Sequence, residues 1–416
     1  MAVRYLRFVK NNFRFLGFGY LIAFFSTFGQ TFYIAMYSGQ LREAFDLSHG
    51  DFGNIYAAGT LSSGLLLIWV GKVIDRVDLR LYAILLCVGM SAACLMMSFT
   101  QNWVMLAVAI FMLRFAGQGL MSQAATVTMA RYFDEFTRGR AVSLAALGFP
   151  SGQALFPAMS VVVLAHFQWR DVWLTSAVLI LFAVPPLALL LLKGHDARHK
   201  AFLKRVGGLR GRVSDAARRQ WTRGQVLRDP RFFLAMTAMM SSAFIITGLN
   251  LHQVHLVESK GWELSIYASS FFLYAICQVG MAMGTGMLVD RFGAVSLMPF
   301  YLLPLVCATY VIALFDSQYS IFAFMILAGT SGGAGATIVS TVWAELYGVL
   351  HLGSIRAMVA GIQVISSALG PAVFGWLIDG GISIEVISAA CGVYAFGGCI
   401  MLAVLFRPRM MMFWRA

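Results

Sequence analysis

The chain is 416 residues long, 60% hydrophobic and only 12% charged, with a mean hydropathy of +0.78. Soluble domains carry about 25% charged residues, so the composition excludes a soluble globular class and points to a membrane protein. The net charge of +13 would suit a nucleic-acid partner, but the placement of the charges excludes one.

The N-terminal MAVRYLRFVKNNFRF is basic. The apolar stretch after it is too long for a cleavable signal peptide and lacks a small-residue cleavage site, so it reads as a signal anchor retained as the first span. Apolar windows long enough for a bilayer core of about 30 Å then recur along the chain. Twelve are predicted: 15–38, 52–71, 81–99, 103–130, 141–164, 172–192, 232–256, 266–289, 294–315, 319–343, 357–379 and 385–406. The expected fold class is an all-α membrane protein of twelve transmembrane helices.

With the N-terminus placed in the cytoplasm, 27 of the 31 Lys and Arg residues fall in cytoplasmic segments. Only Arg42, Arg170 and Lys260 fall on the opposite side, and Arg114 alone is left within the membrane. This asymmetry is the positive-inside rule, and it predicts that both termini are cytoplasmic in a cytoplasmic (inner) membrane. The basic balance then reflects topology and anionic headgroups rather than nucleic acid. The six cysteines lie in apolar windows without CxxC spacing and imply neither disulfides nor a metal site.

One long polar stretch, 193–230, divides the chain into six-span sets at 1–192 and 231–416. It reads as a basic cytoplasmic linker, either a solvated tether or an amphipathic helix on the lipid surface. The halves repeat in register. Gly71-Lys-Val-Ile-Asp75-Arg76 follows the second span and Gly286-Met-Leu-Val-Asp290-Arg291 the eighth, an offset of 215. Tyr132 and Tyr347 share that offset, and Arg140-Ala141 and Arg356-Ala357 differ by 216. Parallel halves of this kind belong to alternating-access transporters.

On these residues the chain resembles the major facilitator superfamily along its whole length. The family's loop motif runs Gly-x-x-x-Asp-Arg/Lys-x-Gly-Arg/Lys. The second copy matches through Gly293, whereas the first has Asp78 where the family has Gly. The resemblance implies gating by Gly71, Asp75, Arg76, Gly286, Asp290, Arg291, Gly293, Arg140, Glu345 and Arg356. WAELYGVLHLGSIRAMVAG (343–361) and HFQWRDVW (166–173) look like the prokaryotic monocarboxylate and oxalate/formate branch.

Arg114 lies near the middle of the fourth span, where a guanidinium costs at least roughly 2.5–3.5 kcal/mol and keeps its charge. Family arginines on this helix often sit in Arg-x-x-Gln-Gly; here Gln118-Gly119 is displaced by one residue. All 18 acidic residues fall in loops or at span ends, so no carboxylate is predicted at mid-span beside it. An Arg114 facing a cavity would fork onto an anionic solute; facing a neighbouring helix, it would be structural. Gln118, Gln30, Tyr33, Gln153, Tyr274 and Gln278 are further candidate solute contacts, each equally able to bond an adjacent helix.

His252, His255 and Glu258 share an i, i+3 face at the outer end of the seventh span, where histidine can take and release a proton. The same trio read as an interfacial cluster would meet only headgroups and water, and metal binding has no HExxH spacing to support it. No hydrolase elbow, Walker loop or dinucleotide fingerprint is found, so no enzyme, no cofactor and no metal are expected. The expectation is a secondary transporter of a small organic anion, monocarboxylate-like and proton-coupled by symport, working as a monomer in the lipid bilayer. The alternatives are a carrier of a neutral or hydrophobic solute with Arg114 structural, or a receptor or scaffold without flux.

Overall fold

The computed structural model describes residues 2–134, 137–209, 221–348 and 351–406; within them the side chains of residues 2–6, 72, 75, 203–209 and 353 lie outside the description. Every regular element among the described residues is helical. Among the described residues ten helices are long and apolar enough to cross a membrane, and the pair Arg7–Gly29 and Thr31–Phe45, bent by 47°, passes the same test together. The ninth window holds a shorter apolar helix, Leu303–Leu314. The protein is therefore an all-α membrane protein, and each of the twelve sequence windows contains helix.

Local chemistry explains where the helices begin and break. Ser48 and Asp51 cap the second span reciprocally: the Ser48 hydroxyl accepts the Asp51 N–H at 3.0 Å and the Asp51 carboxylate accepts the Ser48 N–H at 3.3 Å. Asn102 accepts the Met105 N–H at 2.9 Å ahead of Trp103. Asp229 accepts the Arg231 N–H at 3.0 Å, with Pro230 as the first helical residue of the seventh span. The ninth window is interrupted between Ala294–Leu297 and Leu303–Leu314. Pro299 and Pro304 remove backbone donors there, which a hydropathy window does not register.

The chain forms two compact units. The first comprises residues 1–33, 62–156 and 163–216. In it the first span packs closely on the fifth at two glycines: a Cβ at Gly148 would overlap the Tyr20 carbonyl, and one at Gly152 the Thr27 hydroxyl. Trp173 is fully buried there beside Tyr33, their ring centroids 5.4 Å apart.

The second unit comprises residues 34–61, 157–162 and 217–416. It joins the ends of the first two spans to the C-terminal helices. Ala57, Ala368 and Ala372 form a small core with Leu61 packed on it. A Cβ at Gly53 would lie 2.5 Å from the Pro371 carbonyl oxygen, and one at Gly375 would overlap that of His49. Backbone meets backbone along this seam because the residues facing each other are glycine and alanine.

Candidate functional site

Arg114 is the twelfth residue of the helix Trp103–Tyr132 and is 1% exposed. It opens a π-helical stretch, Arg114–Met121, that contains Gly117 and Gly119. Opposite this stretch the first span is broken: Ser26–Gly29 tightens into a 3-10 turn and Gln30 is extended (φ −91°, ψ 151°). A Cβ at Gly29 would overlap the Leu113 carbonyl, so the two irregular backbones touch directly. Arg114 Nη1 donates to the Gly29 carbonyl at 3.3 Å and to the Thr31 hydroxyl at 3.2 Å. The break frees carbonyl lone pairs from the helical ladder, and the guanidinium supplies donors for them.

The neutral candidates sort by unit. In the first, Gln30 Nε2 donates to the Ser122 hydroxyl at 3.5 Å, next to the Arg114 contact. Tyr33 is enclosed by aromatic rings, with Phe28 and Phe156 at 4.9 and 5.9 Å. Gln118 is half-buried on the π-helical stretch. Gln153 is buried, and its Oε1 has no hydrogen-bond partner among the described residues. In the second unit, Tyr274 and Gln278 lie against Gly332 of the tenth span, and Gln278 Oε1 is likewise buried and unmatched among the described residues. Such orphaned amides cost free energy that water or a solute can recover.

The histidine face is larger than the i, i+3 spacing predicts. His252 ends the helix Pro230–Leu251 and precedes Gln253–Ser259, so it stands at a break in the seventh span. It is 3% exposed, donates Nε2–H to the Pro371 carbonyl at 2.9 Å and stacks on Phe374. His49, from the start of the second span, brings its ring to 4.5 Å from that of His255 and 5.6 Å from that of His252. Glu258 is exposed.

His49, Arg42 and Asp379 are the members of this cluster that sequence reasoning missed. Each sits at a span end, where a polar residue is unremarkable, and only the folded chain unites positions hundreds of residues apart. Asp379, the last residue of the eleventh span, accepts the backbone N–H groups of His49 and Gly50 at 3.0 and 2.7 Å. A helix N-terminus presents unpaired donors and a positive dipole end, so a carboxylate suits it.

The loop motifs differ between the halves. Gly71 permits a close approach, since a Cβ there would lie 2.8 Å from Gln123 Oε1; Gly286 faces open space. Gly293 has φ +81°, and Glu345 accepts the Ala294 and Val295 N–H groups just after it at 2.7 and 3.3 Å. Glu345 therefore holds the turn that ends the eighth span. Arg76, Asp290, Arg140 and Arg356 are exposed, as is Arg291, whose guanidinium lies 5.0 Å over the Phe292 ring. The side chain of Asp75 lies outside the described residues.

The family model of the Major Facilitator Superfamily matches residues 19–285. The chain belongs to that superfamily. No curated protein matches the sequence. Among solved structures, a bacterial homolog of the human lysosomal transporter Spinster, inward-facing and unoccupied, aligns with a TM-score of 0.61 at 14% identity, covering 96% of this chain and 94% of that one. The inward-facing, occupied form gives 0.62 at 13% identity, over 95% and 94%. At such identity the likeness is one of fold. The chain is a multi-pass membrane transporter of the major facilitator type, a membership consistent with a small-molecule solute as cargo.

Proposed function

We propose that this transporter moves a small organic anion, monocarboxylate-like, across the cytoplasmic membrane by alternating access, in symport with protons. The six-span sets 1–192 and 231–416 would rock about a central path, with both termini in the cytoplasm as the 27-of-31 charge asymmetry suggests. The observation that carries the anionic cargo is Arg114: a charge that no accessible pH removes, buried mid-helix beside the break in the first span. Through a low-dielectric surround its field favours a negative solute near the break and disfavours a cation. Gln30 and Gln153 supply neutral polar groups in the same unit. The His49, His252 and His255 cluster would take protons on the outer side, where its rings lie 4.5 and 5.6 Å apart.

A second reading has its own observation. The two bonds from Arg114 Nη1 run to the first-span break, which is what a purely structural arginine would do, and the cargo would then be a neutral solute. A thermal-shift screen of short mono- and dicarboxylates against neutral solutes, on wild type and Arg114→Gln, separates the two. Anion stabilisation lost in Arg114→Gln is expected, and uptake of the same anion by proteoliposomes should rise with an inward proton gradient. Equal stabilisation of both proteins by neutral solutes, with none by anions, would reject the anionic cargo.

A further inference from the structure

A cleft of about 290 Å³ opens in the first unit, where the first span begins and the sixth, Trp169–Leu191, ends. Arg14, Lys193, His195 and Arg198 line it, together with Phe13 and Leu191. Arg198 is fixed rather than free-swinging. Its Nη2 donates to Asn12 Oδ1 at 3.0 Å, and its guanidinium lies over the Phe15 and Phe133 rings at 4.6 and 5.1 Å. Arg14 and Lys193 are exposed at the rim.

Two further features point to an anion. The helix His195–Leu209 begins among the lining residues, which sets its positive dipole end at the cleft. His195 is 3% exposed, and its Nδ1 has no hydrogen-bond partner among the described residues. The imidazole is held between Phe15, stacked at 6.0 Å, and Tyr132, edge-on at 4.9 Å. The nearby carboxylates are already engaged: Asp196 pairs with Arg80 at 2.7 Å, and Asp78 accepts the Arg80 N–H at 2.9 Å. Neither competes for the cleft's cations.

We propose that this cleft binds a phosphate group, supplied by the headgroup of an anionic phospholipid. The lipid source follows from the surroundings. Phe13, Leu187 and Leu190 are exposed apolar side chains on the helices that form the cleft, placed to meet acyl chains below a headgroup. A basic pocket between spanning helices, at the end rich in Lys and Arg, is the arrangement that recognises anionic headgroups. The site is independent of solute transport: it shares no residue with the Arg114 or histidine clusters.

The test uses the purified full-length protein in mild detergent, titrated with phosphatidylglycerol, phosphatidylcholine or inorganic phosphate, and read by thermal stability and native mass spectrometry. Phosphatidylglycerol should remain bound and stabilise the protein, and phosphatidylcholine should do so far less. The double variant Arg14→Gln, Lys193→Gln should weaken phosphatidylglycerol binding by about fivefold per charge removed, with the lipid-free melting temperature unchanged because both side chains are exposed. Arg198→Gln should weaken it further, but its packing makes the rim variant the deciding one. Unchanged phosphatidylglycerol affinity in the double variant overturns the site, as does equal stabilisation by phosphatidylcholine. Stabilisation by inorganic phosphate with no lipid retained overturns the lipid source.

Discussion

Asp379 closes the first turn of the second span by accepting the Gly50 N–H at 2.7 Å, although 329 residues separate the two in sequence. The same carboxylate takes the His49 N–H at 3.0 Å, so one side chain satisfies two donors of a helix N-terminus. It stands beside the histidine cluster, where Arg42 is its nearby countercharge. Cap, glycine seam and histidines form one continuous contact between the starts and ends of different spans.

Removing that cap should loosen the seam. Asp379→Ala should cost about 1 kcal/mol, the usual worth of an N-terminal cap, and Asp379→Asn, which keeps an acceptor but not the charge, should cost less. Hydrogen exchange at residues 49–52 is the direct measurement. An unchanged Gly50 amide rate in Asp379→Ala would show that the bond contributes nothing.

Steric tests of the seam follow from the glycines. Gly53→Ala places a methyl 2.5 Å from the Pro371 carbonyl oxygen, and neither backbone can yield locally. Overpacking of this kind costs roughly 1–3 kcal/mol, more than the ~1 kcal/mol that alanine gains over glycine in a helix. The melting temperature should fall. Gly280→Ala, where nothing lies within 4 Å, should leave it equal or raise it. If the two variants behave alike, the seam is not close-packed.

The bond from His252 to the Pro371 carbonyl is a directional tie across the same seam. His252→Ala removes the donor and strips this partner from the carbonyl, which should cost about 1–3 kcal/mol, whereas His252→Asn, which keeps a donor, should cost less. Thermal melting of the two variants is the measurement. A melting temperature in His252→Ala equal to that of wild type would show that the bond contributes nothing.

Much of the architecture was legible because partitioning into lipid is a property of composition. Leu79–Ser98 occupies the predicted 81–99, and Trp103–Tyr132 the predicted 103–130. Hydropathy was blind to breaks inside a window. The first span opens at Gln30 with no change of polarity large enough to announce it, and the ninth is interrupted where prolines fall in an apolar run. Family membership was legible for a different reason: the Gly-x-x-x-Asp-Arg repeats are local in sequence and recur at one offset.

The site was legible in part. A charge in an apolar run is visible without coordinates, so Arg114 stood out; a histidine at a span end does not, so His49 did not. The sequence by itself determined a twelve-window, all-helical membrane chain of two repeated halves with one cation set deep among apolar residues, because transfer free energy is summed over consecutive side chains. Only the tertiary structure decided that Arg114 bonds Gly29 and Thr31, that His49 joins His252 and His255, and that Asp379 caps Gly50. Those are directional contacts between segments remote in the chain, and direction is what a sum over neighbours does not contain.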